Sequence, residues 1–149
     1  MDNKDVINFL NLFGPFCFAV TINLKERSVK HQRAIAERDA KYFVNMLNTR
    51  IFHRAYKYGH KEIGVVCSFE VGAFNSRPHL HLAIGKPPML SQEKLLQAIR
   101  YVAFKMKYRL GEIHVKPYHS DGWLEYITKT NSVKDVESLI PSACFKPKY

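Results

Sequence analysis

The chain has 149 residues, which is enough for one domain with a substantial core and too few for a second. It is 46% hydrophobic and 24% charged, as expected of a soluble globular domain, and no run approaches the roughly 18 apolar residues that a membrane-spanning helix needs. Lys and Arg number 23 against 13 Asp and Glu, and the net charge of +10 favours a polyanionic partner, most often nucleic acid.

The chain opens with a short helix and a strand. Apolar residues at helical spacing predict a helix over 5–13, which we expect to pack on the edge of the sheet. Residues 16–24 alternate as a strand, and the larger apolar side chains share the face predicted to be buried: Phe16, Phe18, Val20, Ile22 and Leu24. The other face ends in Thr21 and Asn23, whose small polar side chains leave room for a ligand.

A long helix and a hairpin follow a basic connector. The periodicity predicts a helix over about 31–54, a loop over 55–61 and a second strand over 62–71. A turn over 72–76 then leads into a third strand over 77–85. Because the connection between them is short, we expect the second and third strands to pair as an antiparallel hairpin.

Two histidines mark the third strand. His79 and His81 are two residues apart, so a pleated strand places both imidazoles on one face and turns the apolar neighbours to the other: Leu80, Leu82 and Ile84. If the turn is centred on 74–75, Glu70 lies directly opposite His79 and projects from the same face. This set predicts a metal site. The alternative is a pair of half-exposed strand histidines without a ligand, and a register slip of one residue would turn Glu70 away.

The second half repeats the pattern of helix and strand. Ser91 is a suitable N-cap for a helix that we expect to end near Gly111. A fourth strand follows over 112–117, with Ile113 and Val115 predicted to face inward. Its outward residues are polar or charged: Glu112, His114 and Lys116.

The order strand, helix, strand, strand, helix, strand predicts an α+β fold, a ferredoxin-like βαββαβ sandwich with an antiparallel sheet. Both long helices are expected on one face of the sheet, because the inward residues of every strand are apolar. The opposite face is then left uncovered and collects polar groups that can bind a metal: Thr21, Asn23, Ser68, Glu70, His79, His81, His114 and Lys116.

A further helix is predicted over 121–130, capped by Asp121. Tyr126 and Lys129 are three residues apart and share one side of it, whereas Leu124 and Ile127 share another. A tyrosine one turn before a lysine can serve as a nucleophile, although such pairs are common and mostly structural. Beyond it we expect a short helix over 131–140 and a basic, loosely ordered tail to residue 149.

Three segments in this order resemble the HUH endonuclease superfamily, in particular the single-tyrosine replication initiators (Rep) of rolling-circle replicons. They are the apolar first strand ending in Thr21-Ile-Asn23, the strand with His79-Leu-His81, and the helix with Tyr126-Ile-Thr-Lys129. The resemblance covers about 16–130, and the order and strand pattern carry its specificity because each motif is short.

The resemblance implies a metal-dependent enzyme that nicks and joins single-stranded DNA. It implies His79, His81 and Glu70 as ligands of a divalent metal, Mn or Mg, and Tyr126 as the nucleophile that forms a 5′-phosphotyrosine link. Lys129 would assist at the phosphate, or position the metal or the tyrosine. We expect the outer groups of the sheet face to contact DNA: Thr21, Asn23, His114 and Lys116.

Organisation, partners and setting follow from the same observations. We expect a single HUH-type nuclease domain over 1–149, with its core over about 16–130 and a short helix and basic tail over 131–149. The expected partner is single-stranded DNA, as an origin or hairpin, with unwinding left to a helicase of the host. The widely spaced cysteines form neither a zinc pattern nor a disulfide framework, and residues 1–5 are unlike the start of a signal peptide, so we expect a cytoplasmic protein in the host-cell interior with no membrane partner.

Three other readings stay open from the sequence. One is a single-strand transposase of the same superfamily, although Glu70 and the spacing of Lys129 favour the initiator. Another is a ferredoxin-like nucleic-acid-binding module without catalysis, which would place aromatic residues on the open sheet face. The last is a structural or regulatory protein with a basic surface. A metal-binding titration separates the replication initiator from both non-catalytic alternatives.

Overall fold

A computed structural model describes residues 2–25, 31–71, 78–129 and 139–149. The predicted turn over 72–76, part of the basic connector and most of the short helix predicted over 131–140 lie outside the described residues. Four strands form one antiparallel sheet in the spatial order β2-β3-β1-β4: β1 (Phe16–Asn23), β2 (Val65–Val71), β3 (Pro78–Gly85) and β4 (His114–Pro117). This α+β arrangement is compatible with a ferredoxin-like sandwich.

The helices match most of the predicted ones with shifted ends. They are α1 (Asn3–Asn11), α2 (Gln32–Phe52), α3 (Arg54–Lys57), α4 (Gln92–Lys105) and α5 (Gly122–Lys129). The loop predicted after the long helix begins instead with α3, because His53 leaves α2 at a positive φ of 51° and the chain then resumes one helical turn. Ser91 caps α4 as predicted, but α4 ends at Lys105 because Met106 is extended.

The main core lies between one sheet face and the two long helices, α2 and α4, as predicted. Its largest fully buried side chains from the helices are Phe43, Leu47, Leu95 and Ile99. The strands contribute predicted inward residues, which are Val20, Ile22 and Leu24 from β1 and the position after it, and Leu80, Leu82 and Ile84 from β3. β2 adds Cys67 and Phe69. Burying this apolar surface supplies most of the driving force for folding.

A second, smaller core covers half of the opposite sheet face, which the sequence had predicted to be uncovered. Helices α1 and α5 lie on it and bury one apolar cluster: Val6, Ile7, Leu10, Phe13, Val66, Ala83, Leu124, Ile127 and Leu139. The expected position of α1 on the sheet edge is therefore wrong. Val66 and Ala83 are apolar and point away from the main core, so they need a cover, and the apolar stripes of α1 and α5 provide it.

One inward residue of β1 was assigned to the wrong face. The register of β1 against β3 shifts between Phe16 and Phe18, which marks a bulge. As a result Phe16 packs against the second core, where its ring lies 5.2 Å from that of Tyr118 between centroids.

The segment 139–149 pairs with β2 and is not a loose tail. Antiparallel bridges join Leu139 to Ser68, Phe145 to Val65 and Lys148 to Glu62. The backbone N–H of Val65 donates to Phe145 at 3.0 Å, and the Phe145 N–H donates back to Val65 at 2.9 Å. These bonds hold the segment along the outer edge of β2. Within the described residues, no helix has the length and apolar character needed to cross a membrane.

Candidate metal centre

The register of β2 against β3 sets the candidate site. Glu70 pairs with His79, and Ser68 pairs with His81, so the predicted alignment of Glu70 opposite His79 is confirmed. Directly paired residues project from the same face of a sheet, and residues two apart on one strand do as well. The carboxylate and the two imidazoles therefore meet on the face away from the main core.

The three side chains form a tight cluster. The Glu70 Oε2 atom lies 2.7 Å from His81 Nε2 and 3.4 Å from His79 Nε2. One ligand atom from each residue lies within 4.8 Å of the others, close enough for all three to hold one metal ion. The two imidazole rings meet edge to face, with centroids 4.8 Å apart.

His81 is held by hydrogen bonds at both ring nitrogens. Its Nε2 faces Glu70, and its Nδ1 lies 3.0 Å from the hydroxyl of Thr21, which is the β1 residue paired with His81. A hydroxyl on Nδ1 fixes the orientation of the ring and leaves Nε2 directed at the cluster. Thr21 was predicted to contact DNA, and the structure places its hydroxyl against this histidine.

The environment of His81 favours its neutral form. The residue is only 4% exposed. Burial lowers the pKa of His81 below its usual value, the hydrogen bond to Glu70 opposes this shift, and repulsion by His79 adds to it. A metal ligand must be a neutral imidazole, so the protonation state near neutral pH suits metal binding.

The donor set fits a divalent cation on chemical grounds. One carboxylate oxygen and two imidazole nitrogens supply hard and intermediate ligands, and three protein ligands leave further coordination positions open. The hydrogen bond between His81 Nδ1 and the Thr21 hydroxyl is the kind of outer contact that accompanies metal-ligating histidines, in which the ring N–H donates and the hydroxyl oxygen accepts. Glu70 and His79 are both partly exposed, so a ligand can reach the cluster from solvent.

A cavity of about 680 Å³ adjoins the cluster over the uncovered half of the sheet face. His79 and His81 line it, together with all four residues predicted to contact DNA: Thr21, Asn23, His114 and Lys116. β1 pairs Thr21 with His114 and Ala19 with Lys116, so the strand ladder brings the β4 residues to the wall of this cavity.

Helix α5 closes one side of the cavity with two aromatic rings. The ring centroid of Tyr126 lies 5.5 Å from that of His81, at an interplanar angle of 80°. Trp123 stacks on Tyr126 with centroids 5.5 Å apart and an interplanar angle of 20°. The structure thus brings Tyr126 to the histidine cluster. Lys129 is the last residue of α5, and its side chain lies outside what the structure describes.

Tyr118, the other tyrosine of the cavity, is held differently. Its ring packs on Phe16, and its hydroxyl donates to the Asp121 carboxylate at 3.3 Å. Burial raises the pKa of Tyr118, and the nearby Asp121 charge raises it further. A phenol in this setting keeps its proton and is a poor nucleophile.

Sequence reasoning missed one residue of the site, Trp123, and the contact that Thr21 makes there. Trp123 precedes Tyr126 by three positions, so helical periodicity could have placed both on one side of α5. The contact of Thr21 with His81 depends on the pairing of β1 with β3, which are 55 residues apart between Asn23 and Pro78. No local pattern fixes that register.

Comparisons with protein-family models, with curated proteins and with solved structures found no match for this chain.

Proposed function

We propose that this chain is a metal-dependent endonuclease and strand transferase of single-stranded DNA, of the HUH type that starts rolling-circle replication. One observation carries the proposal: a carboxylate and two imidazoles whose ligand atoms lie within 4.8 Å of one another, with the ring of Tyr126 against one of those imidazoles. In this proposal β3 carries the His-x-His metal site and α5 is the helix of the nucleophilic tyrosine.

The ligands we propose are Glu70, His79 and His81. A divalent cation bound there supplies Lewis-acid polarisation of the scissile phosphate. Imidazole ligands suit Mn better than Mg, whereas the carboxylate suits both, so we propose Mn or Mg with Mn preferred. The strands hold the three donor atoms on one rigid sheet face, so that no loop has to close to assemble the site.

Tyr126 is the proposed nucleophile. Its Oη attacks the scissile phosphorus as the phenolic proton passes to solvent, and a new O–P bond forms. The bond from phosphorus to O3′ breaks, and the 3′ oxygen leaves with the electron pair and takes a proton from water. The product is a 5′-phosphotyrosine link beside a free 3′-hydroxyl. The link keeps the phosphodiester energy, so attack by a 3′-hydroxyl can rejoin or transfer the strand without ATP.

Access and position favour Tyr126 over Tyr118. Tyr126 is 51% exposed and lies against His81, whereas Tyr118 is partly buried with its hydroxyl on Asp121. We further propose that Lys129, one turn after Tyr126, stabilises negative charge on the phosphate or the phenolate.

The cavity and the charge of the chain support a single strand as the substrate. Lys116 and His114 lie on one wall, and the net charge of +10 favours a phosphate backbone. The rings of Trp123 and Tyr126 stand at the other wall. A base-paired duplex presents its phosphates outside stacked bases, whereas a single strand can bend into a cavity of this size.

The test is covalent adduct formation with a 5′-labelled and a 3′-labelled single-stranded oligonucleotide in the presence of Mn. Because the recognition sequence is not known, a pool of random-sequence oligonucleotides is used, and the protein-linked strand is read on a denaturing gel. Wild type should form an adduct that maps by mass spectrometry to the peptide containing Tyr126. Tyr126→Phe should form none while it keeps Mn and DNA affinity, because only a hydroxyl is lost.

Tyr118→Phe is the matched control, because it removes the same atom from the other tyrosine of the cavity. It should still form the adduct, and Lys129→Ala should slow adduct formation without abolishing it. Adduct on Tyr118, or adduct formed by Tyr126→Phe, would overturn the choice of nucleophile. Binding of single strands by wild type without any adduct would instead favour a non-catalytic nucleic-acid-binding module.

A further inference from the structure

Trp123 joins the strand of the histidines to the ring of Tyr126. Its indole N–H donates to the carbonyl oxygen of Leu82 on β3 at 2.9 Å. One edge of the indole meets His81, with centroids 5.3 Å apart at 84°, and its face stacks on Tyr126. Trp123 is therefore the described side chain that contacts β3, His81 and Tyr126 together.

Tyr126 needs such a support because of where it stands. It is 51% exposed and faces the cavity, and exposed side chains exchange readily between rotamers. A nucleophile that leaves its productive rotamer loses rate, and a displacement of about 1 Å at a reacting group can cost on the order of 100-fold. The stacked indole restricts the tyrosine ring from one side, while the hydrogen bond to Leu82 restricts the indole.

We propose that Trp123 is a positioning residue: it holds the ring of Tyr126 over His81 by spanning from the Leu82 carbonyl to the tyrosine. This inference rests on the proposed function for its effect on rate, but its geometric part does not. The coupling runs through one strand, because Leu82 directly follows His81 on β3. A movement of the tyrosine ring toward Trp123 thus requires the indole to move as well.

The contacts of Trp123 are directed at the tyrosine and the histidine. One face of the indole packs on Tyr126, and one edge meets His81. Its N–H, the indole's single donor, is used by Leu82 and is not available to read a base. Loss of Trp123 should therefore lower the rate at saturating DNA and leave the affinity for DNA nearly unchanged.

The first experiment measures geometry without any activity. The tyrosine rings are labelled with carbon-13 for NMR. The signal of Tyr126 is the one that disappears in Tyr126→Phe. Wild type should show a nuclear Overhauser contact between the rings of Tyr126 and His81, and Trp123→Ala should lose it. Trp123→Phe, which keeps a ring but no N–H, should show a weakened contact. If Trp123→Ala keeps the contact at wild-type strength, the inference is wrong, whether or not the protein cleaves DNA.

The second experiment measures adduct formation in single turnover across DNA concentrations. Trp123→Ala should lower the maximal rate about 10- to 100-fold while half-saturating DNA and Mn affinity stay within about twofold of wild type. Trp123→Phe should recover part of the rate. Ile127→Val is the control, because it removes a methyl group from the buried side of the same helix and leaves the aromatic pair intact.

The outcomes separate the inference from the proposed function. Adduct on Tyr126 in wild type, with an unchanged maximal rate in Trp123→Ala, overturns the inference alone. A rise in half-saturating DNA at unchanged maximal rate also overturns it, since that result marks base stacking. A rate that falls only in proportion to the folded fraction, as in Ile127→Val, shows a structural role and overturns it too. Absence of any wild-type adduct contradicts the proposed function, and the nuclear Overhauser contact then decides the inference.

Discussion

The sheet face away from α2 and α4 has two ends with opposite chemistry. At one end Val66 and Ala83, which pair with each other, are buried under α1 and α5. At the other end, two to four residues further along the same strands, Glu70, His79 and His81 meet beside a cavity. The backbone is one continuous ladder, so the difference comes from the side chains and from where the covering helices stop.

Helix α5 serves both ends. Leu124 and Ile127 are buried in the second core, whereas Trp123 and Tyr126 turn toward the cavity. Since these pairs occupy different sides of the same helix, the apolar pair anchors the aromatic pair beside the histidines. If the two ends are independent in this way, changes in the second core should lower stability and spare metal binding, and changes in the cluster should do the reverse.

The largest expected effect is the loss of the metal site in His81→Ala. This change removes the ligand that contacts Glu70, Thr21 and His79, so Mn affinity should fall by at least about 100-fold. Trp123 is the chain's one tryptophan and lies 5.3 Å from His81, so quenching of its fluorescence by Mn gives a direct titration. Equal Mn affinity in wild type and His81→Ala would contradict the site.

The next effect is on stability at the other end. Leu124→Ala removes a fully buried side chain from the second core and should destabilise the protein by about 2–5 kcal/mol in urea unfolding. At a temperature where the variant is still folded, its Mn affinity should stay near that of wild type. A loss of Mn affinity as large as that of His81→Ala would show that the two ends are not separable.

A smaller effect is expected from the hydroxyl behind His81. Thr21→Val keeps the shape of the side chain and removes the hydrogen bond to Nδ1, so Mn affinity should fall about tenfold. Thr128→Val is the matched control, because its hydroxyl donates to the Leu124 carbonyl within α5. Calorimetric titration should show no change in Mn affinity for that control. An equal loss of Mn affinity in both variants would contradict a specific role of the Thr21 hydroxyl.

The smallest effect concerns the wall of the cavity. Lys116→Ala should weaken single-stranded DNA binding severalfold and reduce the slope of log affinity against log salt by about 1, as expected when one phosphate contact is lost. Lys148→Ala, in the segment that pairs with β2, is the control for a change in total charge alone. Fluorescence anisotropy at several salt concentrations measures both, and identical slopes would exclude Lys116 from the DNA path.

The parts of this molecule that the sequence predicts are those with short-range causes. Alternation along β3 places His79 and His81 on one face, and a short connection puts Glu70 opposite His79, so the cluster follows from the twelve consecutive residues 70–81. The position of α2 and α4 on one sheet face also follows, because the inward residues of the strands and one stripe of each helix are apolar.

The remaining features depend on pairs that are distant in sequence. The apolar stripe of α1 predicts that one side of the helix is buried. No local sequence pattern indicates whether that side packs on a sheet edge or, beside α5, on the second sheet face. The bulge at Phe16 and the bond between Thr21 and His81 depend on how β1 aligns with β3. The polar and basic composition of residues 139–149 is typical of a loosely ordered tail. The segment nevertheless pairs with β2, because backbone hydrogen bonds require no particular side chain.

The pairing of the segment 139–149 with β2 also bears on aggregation. β2 contains Val65-Val66-Cys67-Ser68-Phe69, an uncharged run with strong strand preference, and its outer backbone groups bond to this segment. A shortened chain that stops before Leu139 would present that run as an open strand edge, the form of exposed backbone that templates pairing between molecules. Expression variants and fusions should therefore keep residues 139–149, because this segment covers the edge at which β2 would otherwise pair with a strand of another molecule.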